Sequence, residues 1–202
     1  MLRKLGQDKN CKWLGKMLGY KSKAVFLDRD GVLNKVMYHD EKGIYSAMND
    51  KELEFLPMVK EAIAILKKLG YLIIVISNQP GVAFGYIKSN DLQNINRKIF
   101  KALGVDAIYD CIHHPEFTGL CKCRKPKPGM FNNAIKKFNI DIKKSYVVGD
   151  NISDIKVNLA FKNRFLIGSK RNDLFNLLAK EKLHPIIVSN LFEAALTIKK
   201  EN

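Results

Sequence analysis

Short apolar segments alternate along the chain with segments of helical periodicity, and this alternation limits the fold more than any other feature. Residues 24–28 and 71–77 are short and apolar, which is typical of buried strands. Helices are predicted to begin at Pro57, Ser89 and Pro128, each with apolar residues spaced along one face, and Ser89 is expected to cap its helix. Strands that alternate with helices in this way predict an α/β fold with a mostly parallel sheet.

Length and charge divide the chain into a body and a basic end. The 202 residues fit one ordinary domain. Residues 1–23 carry seven basic residues and one acidic residue, so we expect a basic N-terminal extension over residues 1–22 and one domain over residues 23–202. In the extension, four apolar side chains would share one face of a short amphipathic helix, namely Trp13, Leu14, Met17 and Leu18. Two nearby glycines favour a loosely packed leader instead.

The net charge of +15 raises the question of a nucleic-acid partner. The basic residues are 29 lysines and 6 arginines spread along the chain. Proteins that read nucleic acid depend on arginine for bidentate contacts, so we interpret the charge as a generally basic surface and expect no nucleic-acid partner. The longest apolar run has six residues, at 71–76, far below the roughly 20 that a membrane span needs. Without a signal peptide or a membrane span, a cytoplasmic location is expected.

Polar and charged side chains follow the predicted strands at the points where the strands end. In chain order they are Asp28 and Asp30, Ser77 and Asn78, Lys125, and Asp150. Ligands of open α/β sheets bind beyond the carboxyl ends of the strands, so these residues are expected to meet in one crevice. Turn chemistry would explain any one of them alone. Their occurrence at four successive strand ends favours a catalytic site.

These motifs together resemble the haloacid dehalogenase superfamily of phosphohydrolases, over nearly the whole chain from about residue 22. The motifs are Asp28-Arg29-Asp30-Gly31, Ser77-Asn78-Gln79, Lys125 and Gly149-Asp150. The resemblance implies a Rossmann-like three-layer sandwich. It also implies a mechanism in which Asp28 attacks phosphorus to form an aspartyl-phosphate, while Asp30 serves as acid and base.

The same resemblance implies a magnesium ion and a set of phosphate ligands. Mg²⁺ would be bound by the carboxylates of Asp28 and Asp150 and the backbone carbonyl of Asp30. Ser77, Asn78 and Lys125 would bind the phosphate oxygens. The segments between the motifs are too short for an inserted domain, so we expect a capless enzyme with an open site.

Cysteine and histidine residues form a second cluster. Cys111 and His113 form a Cys-x-His pair, and Cys121 and Cys123 form a Cys-x-Cys pair. Together they offer four donors to a tetrahedral Zn²⁺, which would be structural because no position stays open. The alternative is a group of buried apolar cysteines beside a surface histidine. Because the loop leads into Lys125, a bound zinc ion would position the phosphate-binding residues.

This loop resembles those of the heptose bisphosphate phosphatases and the related histidinol phosphatases. The resemblance implies that Zn²⁺ is bound by Cys111, His113, Cys121 and Cys123. His114 is not expected to be a ligand, and Arg124 is expected to take part in substrate recognition. The sequence departs from these families at Pro80, Phe84 and Asn151, where Ser, Arg and Lys are usual. The loss of two cations weakens the case for binding a second substrate phosphate.

The resemblance therefore implies a Mg²⁺-dependent phosphatase that acts on a small phosphorylated substrate. A compact capless domain is compatible with a monomer, which is the expected state. D-glycero-D-manno-heptose 1,7-bisphosphate is the leading candidate. Histidinol phosphate is the alternative within the same loop family, and the basic charge leaves phosphates at nucleic-acid ends as a third. A zinc-stabilised binding module without activity is the non-enzymatic alternative, which the full set of site residues argues against.

Overall fold

A computed structural model describes residues 19–39, 43–168 and 172–202 of the chain. Among these residues, six strands form one sheet and two short strands form a hairpin. In chain order the strands are β1 (Ala24–Leu27), β2 (Met37–His39), β3 (Gly43–Tyr45), β4 (Leu72–Asn78), β5 (Ala107–Cys111), β6 (Tyr146–Gly149), β7 (Asn163–Ile167) and β8 (Ile186–Val188).

The α-helices of the described residues connect these strands. They are α1 (Val59–Lys68), α2 (Ser89–Leu103), α3 (Pro115–Thr118), α4 (Gly129–Phe138), α5 (Ile152–Ile155), α6 (Asn172–Lys180) and α7 (Leu191–Lys200). A single 3₁₀ turn, Ile142–Lys144, precedes β6. Strand therefore alternates with helix along the body of the chain, as the sequence predicts.

All strands of the large sheet are parallel, in the order β5-β4-β1-β6-β7-β8. The chain first adds β4 and β5 on one side of β1, and then adds β6, β7 and β8 on the other side. The first strand therefore lies at the switch point of the sheet, where a crevice forms beyond the carboxyl ends of the strands. The ends of β1, β4 and β6 meet in this crevice.

Successive residues of β1 belong to two different cores on opposite faces of the sheet. Val25 and Leu27 pack in a core with the apolar faces of α1, α2 and α7. Ala24 and Phe26 pack in a second core, with Phe131 of α4. Burial on both faces explains why this strand is apolar throughout and shows no alternation. The predicted three-layer sandwich is confirmed.

The segments between the central strands are short. β2 and β3 form an antiparallel hairpin, and the hairpin and α1 are the only regular elements described between β1 and β4. Between β4 and β5 the described chain forms α2 alone. The described residues thus contain no inserted domain at either position, in agreement with the capless prediction.

Helix starts follow the prediction closely, with one error. Pro57 lies two residues before α1, and Pro128 occupies the cap position of α4. Ser89, expected to cap its helix, is instead the first residue of α2. Lys88 occupies the cap position, and no side chain accepts a capping hydrogen bond there. The expected cap at Ser89 is therefore wrong.

The expected basic extension lies mostly outside the described residues, as does the apolar face at residues 13–18. Regular pairing of the chain with the domain begins at Ser22. Its N–H donates to the carbonyl oxygen of Asn139 at 2.9 Å, and its own carbonyl oxygen accepts from Asp141 at 2.7 Å. The domain boundary at residue 22 stays a prediction. No helix among the described residues is long and apolar enough to cross a bilayer.

Candidate active site

The carboxyl ends of β1, β4 and β6 surround a pocket of about 460 Å³. Six residues singled out from the sequence line it, namely Asp28, Asp30, Asn78, Arg124, Lys125 and Asp150. They come from four separate segments of the chain, and the switch point of the sheet brings them together. We call this pocket the active-site pocket.

Ser77 is the exception, because it lies beneath the active-site pocket and does not line it. The residue is almost fully buried, and its hydroxyl oxygen accepts a hydrogen bond from Gln79 Nε2 at 2.7 Å. Contact between Ser77 and a phosphate therefore stays a prediction. In the structure, Ser77 anchors Gln79.

Lys125 is buried, and its ammonium group has three oxygen neighbours. Nζ lies 2.7 Å from Asp28 Oδ1 and 2.6 Å from Asp154 Oδ1, and it donates to the carbonyl oxygen of Ile76 at 2.7 Å. Burial alone lowers the pKa of a lysine. Here the carboxylates of Asp28 and Asp154 outweigh burial, so the pKa of Lys125 is raised. The side chain is therefore a fixed positive charge beside Asp28.

The side chain of Asn78 holds the backbone on which Lys125 is carried. Its Oδ1 accepts from the N–H of Lys125 at 3.0 Å, and its Nδ2 donates to the carbonyl oxygen of Lys125 at 3.3 Å. Because Asn78 is the last residue of β4, the clamp ties the lysine to the edge of the sheet. From the sequence we expected Asn78 to contact the phosphate oxygens, and this clamp was not predicted.

Asp28 directly follows β1 and is attached to β6, since its N–H donates to the carbonyl oxygen of Val148 at 2.9 Å. Burial raises the pKa of the Asp28 carboxyl to about 8. Lys125 opposes this rise, while the nearby carboxylates of Asp154 and Asp30 add to it. Two carboxylates, those of Asp28 and Asp154, share the single ammonium group of Lys125, and the site favours a further cation.

Three carboxylates converge in a way that could hold such a cation. Asp28, Asp150 and Asp154 each offer an oxygen, and these atoms lie within 4.8 Å of one another. Oxygen ligands of this kind are those that Mg²⁺ prefers. Asp154 is buried between Lys125 and the N–H of Asn151, whereas Asp150 is exposed. Asp28 and Asp150 are therefore the accessible members of the group.

The close approach of these carboxylates depends on two glycines. Gly31 has a φ of +77°, in the left-handed region, and a Cβ atom there would lie 2.0 Å from Asp150 Oδ2. At Gly149, a Cβ atom would lie 2.2 Å from the Cβ of Asp154. Any larger residue at either position would displace a carboxylate from the active-site pocket.

Asp154 is directed toward Lys125 by a capping box at the start of α5. The Asn151 Oδ1 atom accepts from the N–H of Ser153 at 3.0 Å, and Asp154 Oδ2 accepts from the N–H of Asn151 at 3.0 Å. The sequence places Asp154 four residues after Asp150, but sequence reasoning gave it no role. The local signal was the Asn-x-x-Asp pattern of a capping box.

The Asp30 carboxylate accepts hydrogen bonds from four different side chains. Arg29 donates from Nε and Nη2, Asn34 Nδ2 and Ser46 Oγ each donate at 2.9 Å, and Gln79 Nε2 donates at 2.7 Å. Burial alone would raise the pKa of Asp30, but Arg29 and the hydrogen bonds outweigh it, so the pKa is lowered. Asp30 is therefore ionised and firmly held.

Sequence reasoning assigned no role to Arg29, Ser46 or Gln79. Arg29 is fully buried and also donates to Gln79 Oε1 at 2.8 Å, so the two side chains form one rigid support for Asp30. Arg29 and Gln79 belong to the motifs that carry the family resemblance, so their position in the sequence could have indicated a role at the site. Ser46 had none, because the hairpin brings it to Asp30 from a segment without a recognisable motif.

The four predicted zinc ligands also converge. The Cys111 Sγ atom lies 3.7 Å from His113 Nδ1, 3.7 Å from Cys121 Sγ and 3.1 Å from Cys123 Sγ, and His113 Nδ1 lies 3.3 Å from Cys123 Sγ. A tetrahedral zinc site with usual bond lengths has edges of about 3.8 Å between sulfurs and about 3.5 Å between sulfur and nitrogen. Three of these distances lie within about 0.2 Å of such edges, and the Cys111–Cys123 distance is shorter, so the donor set could hold a tetrahedral metal ion after a small separation of these two sulfurs.

The surroundings of the cysteines favour the thiolate form of one of them and connect the cluster to the active-site pocket. Burial opposes ionisation of Cys121, but backbone N–H groups of Arg124 and Cys123 lower its pKa to about 7. Arg124 Nη1 donates to the carbonyl oxygen of His113 at 3.3 Å, and Arg124 lines the active-site pocket. The cysteine loop thus positions Arg124. Cys11 lies outside the described residues.

A family model described as haloacid dehalogenase-like hydrolase matches residues 34–161 of this chain. The match covers more than half of the chain. It begins after Asp28 and Asp30, which lie just outside the matched segment.

Curated relatives extend the match. D-glycero-beta-D-manno-heptose-1,7-bisphosphate 7-phosphatase of Haemophilus ducreyi is 40% identical over 143 residues, which are 66% of this chain and 75% of that protein. D-glycero-alpha-D-manno-heptose-1,7-bisphosphate 7-phosphatase of Photorhabdus laumondii is 42% identical over 148 residues, which are 67% of this chain and 75% of that protein.

Solved structures agree with the fold described above. D,D-heptose 1,7-bisphosphate phosphatase from B. bronchiseptica, complexed with magnesium and phosphate, has a TM-score of 0.72 and 28% identity, over 89% of this chain and 99% of that chain. The corresponding enzyme from Burkholderia thailandensis has a TM-score of 0.60 and 25% identity, over 88% and 99%. The predicted resemblance is confirmed, and the chain belongs to the haloacid dehalogenase-like hydrolase family.

Proposed function

We propose that this protein is a Mg²⁺-dependent phosphatase for a sugar phosphate monoester, with D-glycero-D-manno-heptose 1,7-bisphosphate as its substrate. One observation carries the proposal: a buried lysine holds the Asp28 carboxylate in a pocket that it shares with Asp30 and Asp150. The two relatives and the two solved structures described above are all named as heptose 1,7-bisphosphate phosphatases, which supports the sugar substrate.

In the first half of the reaction, Asp28 is the nucleophile. One oxygen of its carboxylate forms a bond to phosphorus, and the bond from phosphorus to the ester oxygen of the sugar breaks. The leaving oxygen takes a proton from Asp30. The approach of an anionic phosphate raises the pKa of a neighbouring carboxyl, which favours the protonated Asp30 needed for this step.

In the second half, Asp30 takes a proton from a water molecule. The water oxygen bonds to phosphorus, the bond from phosphorus to the Asp28 oxygen breaks, and inorganic phosphate leaves. The four donors around the Asp30 carboxylate favour its ionised form and so suit it to this basic role.

Charges of this chain complete the phosphate site. Lys125 and Arg124 offer cations to the phosphoryl oxygens, and the Asn78 clamp keeps Lys125 in position. The carboxylates of Asp28 and Asp150, with the backbone carbonyl of Asp30, would hold Mg²⁺. A bound Mg²⁺ supplies Lewis-acid stabilisation of the phosphoryl charge and neutralises the excess negative charge around Asp28.

We further propose that Cys111, His113, Cys121 and Cys123 hold a structural Zn²⁺. The distances between their donor atoms support this assignment. Four protein ligands close the coordination shell, so the ion would stabilise the loop and keep Arg124 at the active-site pocket. The monomeric state and the cytoplasmic location stay predictions.

A phosphate-release assay with and without Mg²⁺ tests the proposal. The substrates are heptose 1,7-bisphosphate, histidinol phosphate and 5′- and 3′-phosphorylated oligonucleotides. We expect Mg²⁺-dependent release from the heptose, and we expect Asp28→Asn to abolish it while Asp91→Asn, a change in the first turn of α2, keeps it. Exclusive activity on histidinol phosphate or on oligonucleotides would overturn the substrate, and full activity of Asp28→Asn would overturn the nucleophile.

A further inference from the structure

A second pocket, of about 200 Å³, opens beside the active-site pocket. The two pockets share the side chains of Tyr45, Ser46 and Pro80. The two pockets therefore adjoin at these three residues. We call the second pocket the aromatic cleft. The larger apolar and aromatic residues of its lining are Tyr45, Met48, Pro80, Phe84, Tyr86 and Ile87.

Phe84 is the centre of one wall of the cleft. Its ring centroid lies 5.5 Å from that of Tyr86, 4.8 Å from that of His114 and 4.9 Å from that of Phe117. Tyr86 and Phe117 are both 62% exposed, so this wall is held together largely by contacts between rings at the surface. Aromatic rings fixed in this way present a flat apolar face at little further cost in conformational entropy.

The aromatic cleft offers no charge to a ligand. Of the described residues that line the two pockets, Arg124 and Lys125 are the basic ones, and both line the active-site pocket alone. Two polar side chains of the cleft are already engaged: the amide of Gln79 is bonded to Asp30, Ser77 and Arg29, and the hydroxyl of Ser46 donates to Asp30. A phosphate placed in the cleft would lose water without gaining a counter-charge, which is strongly unfavourable.

We propose that the aromatic cleft is the subsite for the leaving group of the substrate, and that it binds a neutral sugar ring through its C–H face against Phe84. The ring of a pyranose has such an apolar face, and its hydroxyl groups point outward to solvent. The second phosphate of a bisphosphate would stay in solvent outside the cleft, so the monophosphate and the bisphosphate of the same sugar are equivalent substrates. This inference rests on the proposed sugar phosphatase activity.

The first test needs no variant and compares kcat/KM for heptose 1,7-bisphosphate and for the same sugar phosphorylated only at carbon 7. We expect the two values to agree within about threefold. A second phosphate bound by charged groups would favour the bisphosphate by roughly tenfold or more. A preference of that size would overturn this inference and leave the proposed phosphatase in place.

The second test replaces the aromatic ring of Phe84 with a small side chain or with a positively charged one. Loss of one aromatic stacking partner weakens binding by roughly three- to tenfold. Phe84→Ala should therefore raise KM for both sugars by that factor while changing kcat less. Phe84→Arg should create a preference for the bisphosphate. Phe100→Ala, at a half-exposed phenylalanine of α2 outside both pockets, is the matched control and should change neither parameter.

The remaining outcomes separate the two proposals. Equal effects of Phe84→Ala and Phe100→Ala on KM would refute the subsite, even if both enzymes remained active. Activity on p-nitrophenyl phosphate with none on either sugar would keep the phosphatase but refute both the sugar substrate and the subsite. No activity on any ester would refute both proposals.

Discussion

Lys125→Met is the substitution that tests most directly how charge is arranged at the active-site pocket. The side chains of Lys125 and Asp154 are each 3% exposed and that of Asp28 is 12% exposed, so all three are shielded from water. With the lysine present, one positive charge faces two carboxylates. Methionine keeps the length of the side chain but removes the charge, which leaves two buried carboxylates facing each other.

The magnitude follows from the cost of an unpaired buried charge. Removal of one partner from a buried ion pair costs about 3–5 kcal/mol in the free energy of unfolding. Lys125 lowers the pKa of Asp28, so its loss raises this pKa further and lets the carboxyl take up a proton; we therefore expect a loss near the lower end, about 3 kcal/mol. Asp28→Asn should cost less than about 1 kcal/mol, because the pair of Lys125 with Asp154 remains and one repulsion disappears.

Urea unfolding at neutral pH measures both values. The buffer lacks Mg²⁺ and contains no chelator, so that metal at the cysteine cluster is retained. Lys60→Met, at an exposed lysine of α1, is the control and should stay within about 0.5 kcal/mol of the unmodified protein. A loss below about 1 kcal/mol for Lys125→Met, or an equal loss for Asp28→Asn, would refute this account of the buried charges.

Three further predictions concern single contacts. In Gly31→Ala the new Cβ would lie 2.0 Å from Asp150 Oδ2, at a φ of +77°. This substitution should lower the free energy of unfolding by about 1–2 kcal/mol. It should also raise the Mg²⁺ concentration needed for half-maximal activity, which a Mg²⁺ titration measures. An unchanged Mg²⁺ requirement would contradict the role given to this close approach. Asn78→Ala releases the backbone of Lys125 and should lower kcat/KM by roughly tenfold, whereas an effect below twofold would mean that the clamp is dispensable. Cys123→Ser should reduce bound zinc, measured by elemental analysis, from about one ion per chain to well below that, and equal zinc in both proteins would disprove the assigned ligand.

The sequence located most of the site because its residues stand at recognisable positions. Asp28 and Asp150 directly follow apolar strands, and the carboxyl ends of parallel strands share one edge of the sheet. The spacing of the cysteines and His113 likewise indicates a tetrahedral metal site. What the sequence did not indicate are the supporting contacts, such as the Asn78 clamp on Lys125 and the hydrogen bond from Ser46 to Asp30. Such contacts depend on where separate segments meet.

The alternating elements, the layered fold class and the chemical types at the strand ends can be inferred from the sequence alone, since periodicity and local order along the chain are sufficient for these. The folded structure was needed to establish the strand order β5-β4-β1-β6-β7-β8, which puts β1 at the switch point and gathers the ends of four segments in one crevice. It alone placed Lys125 between Asp28 and Asp154 and built the aromatic cleft around Phe84. These features join side chains that are distant in sequence, and packing of the sheet and its loops is what brings them into contact.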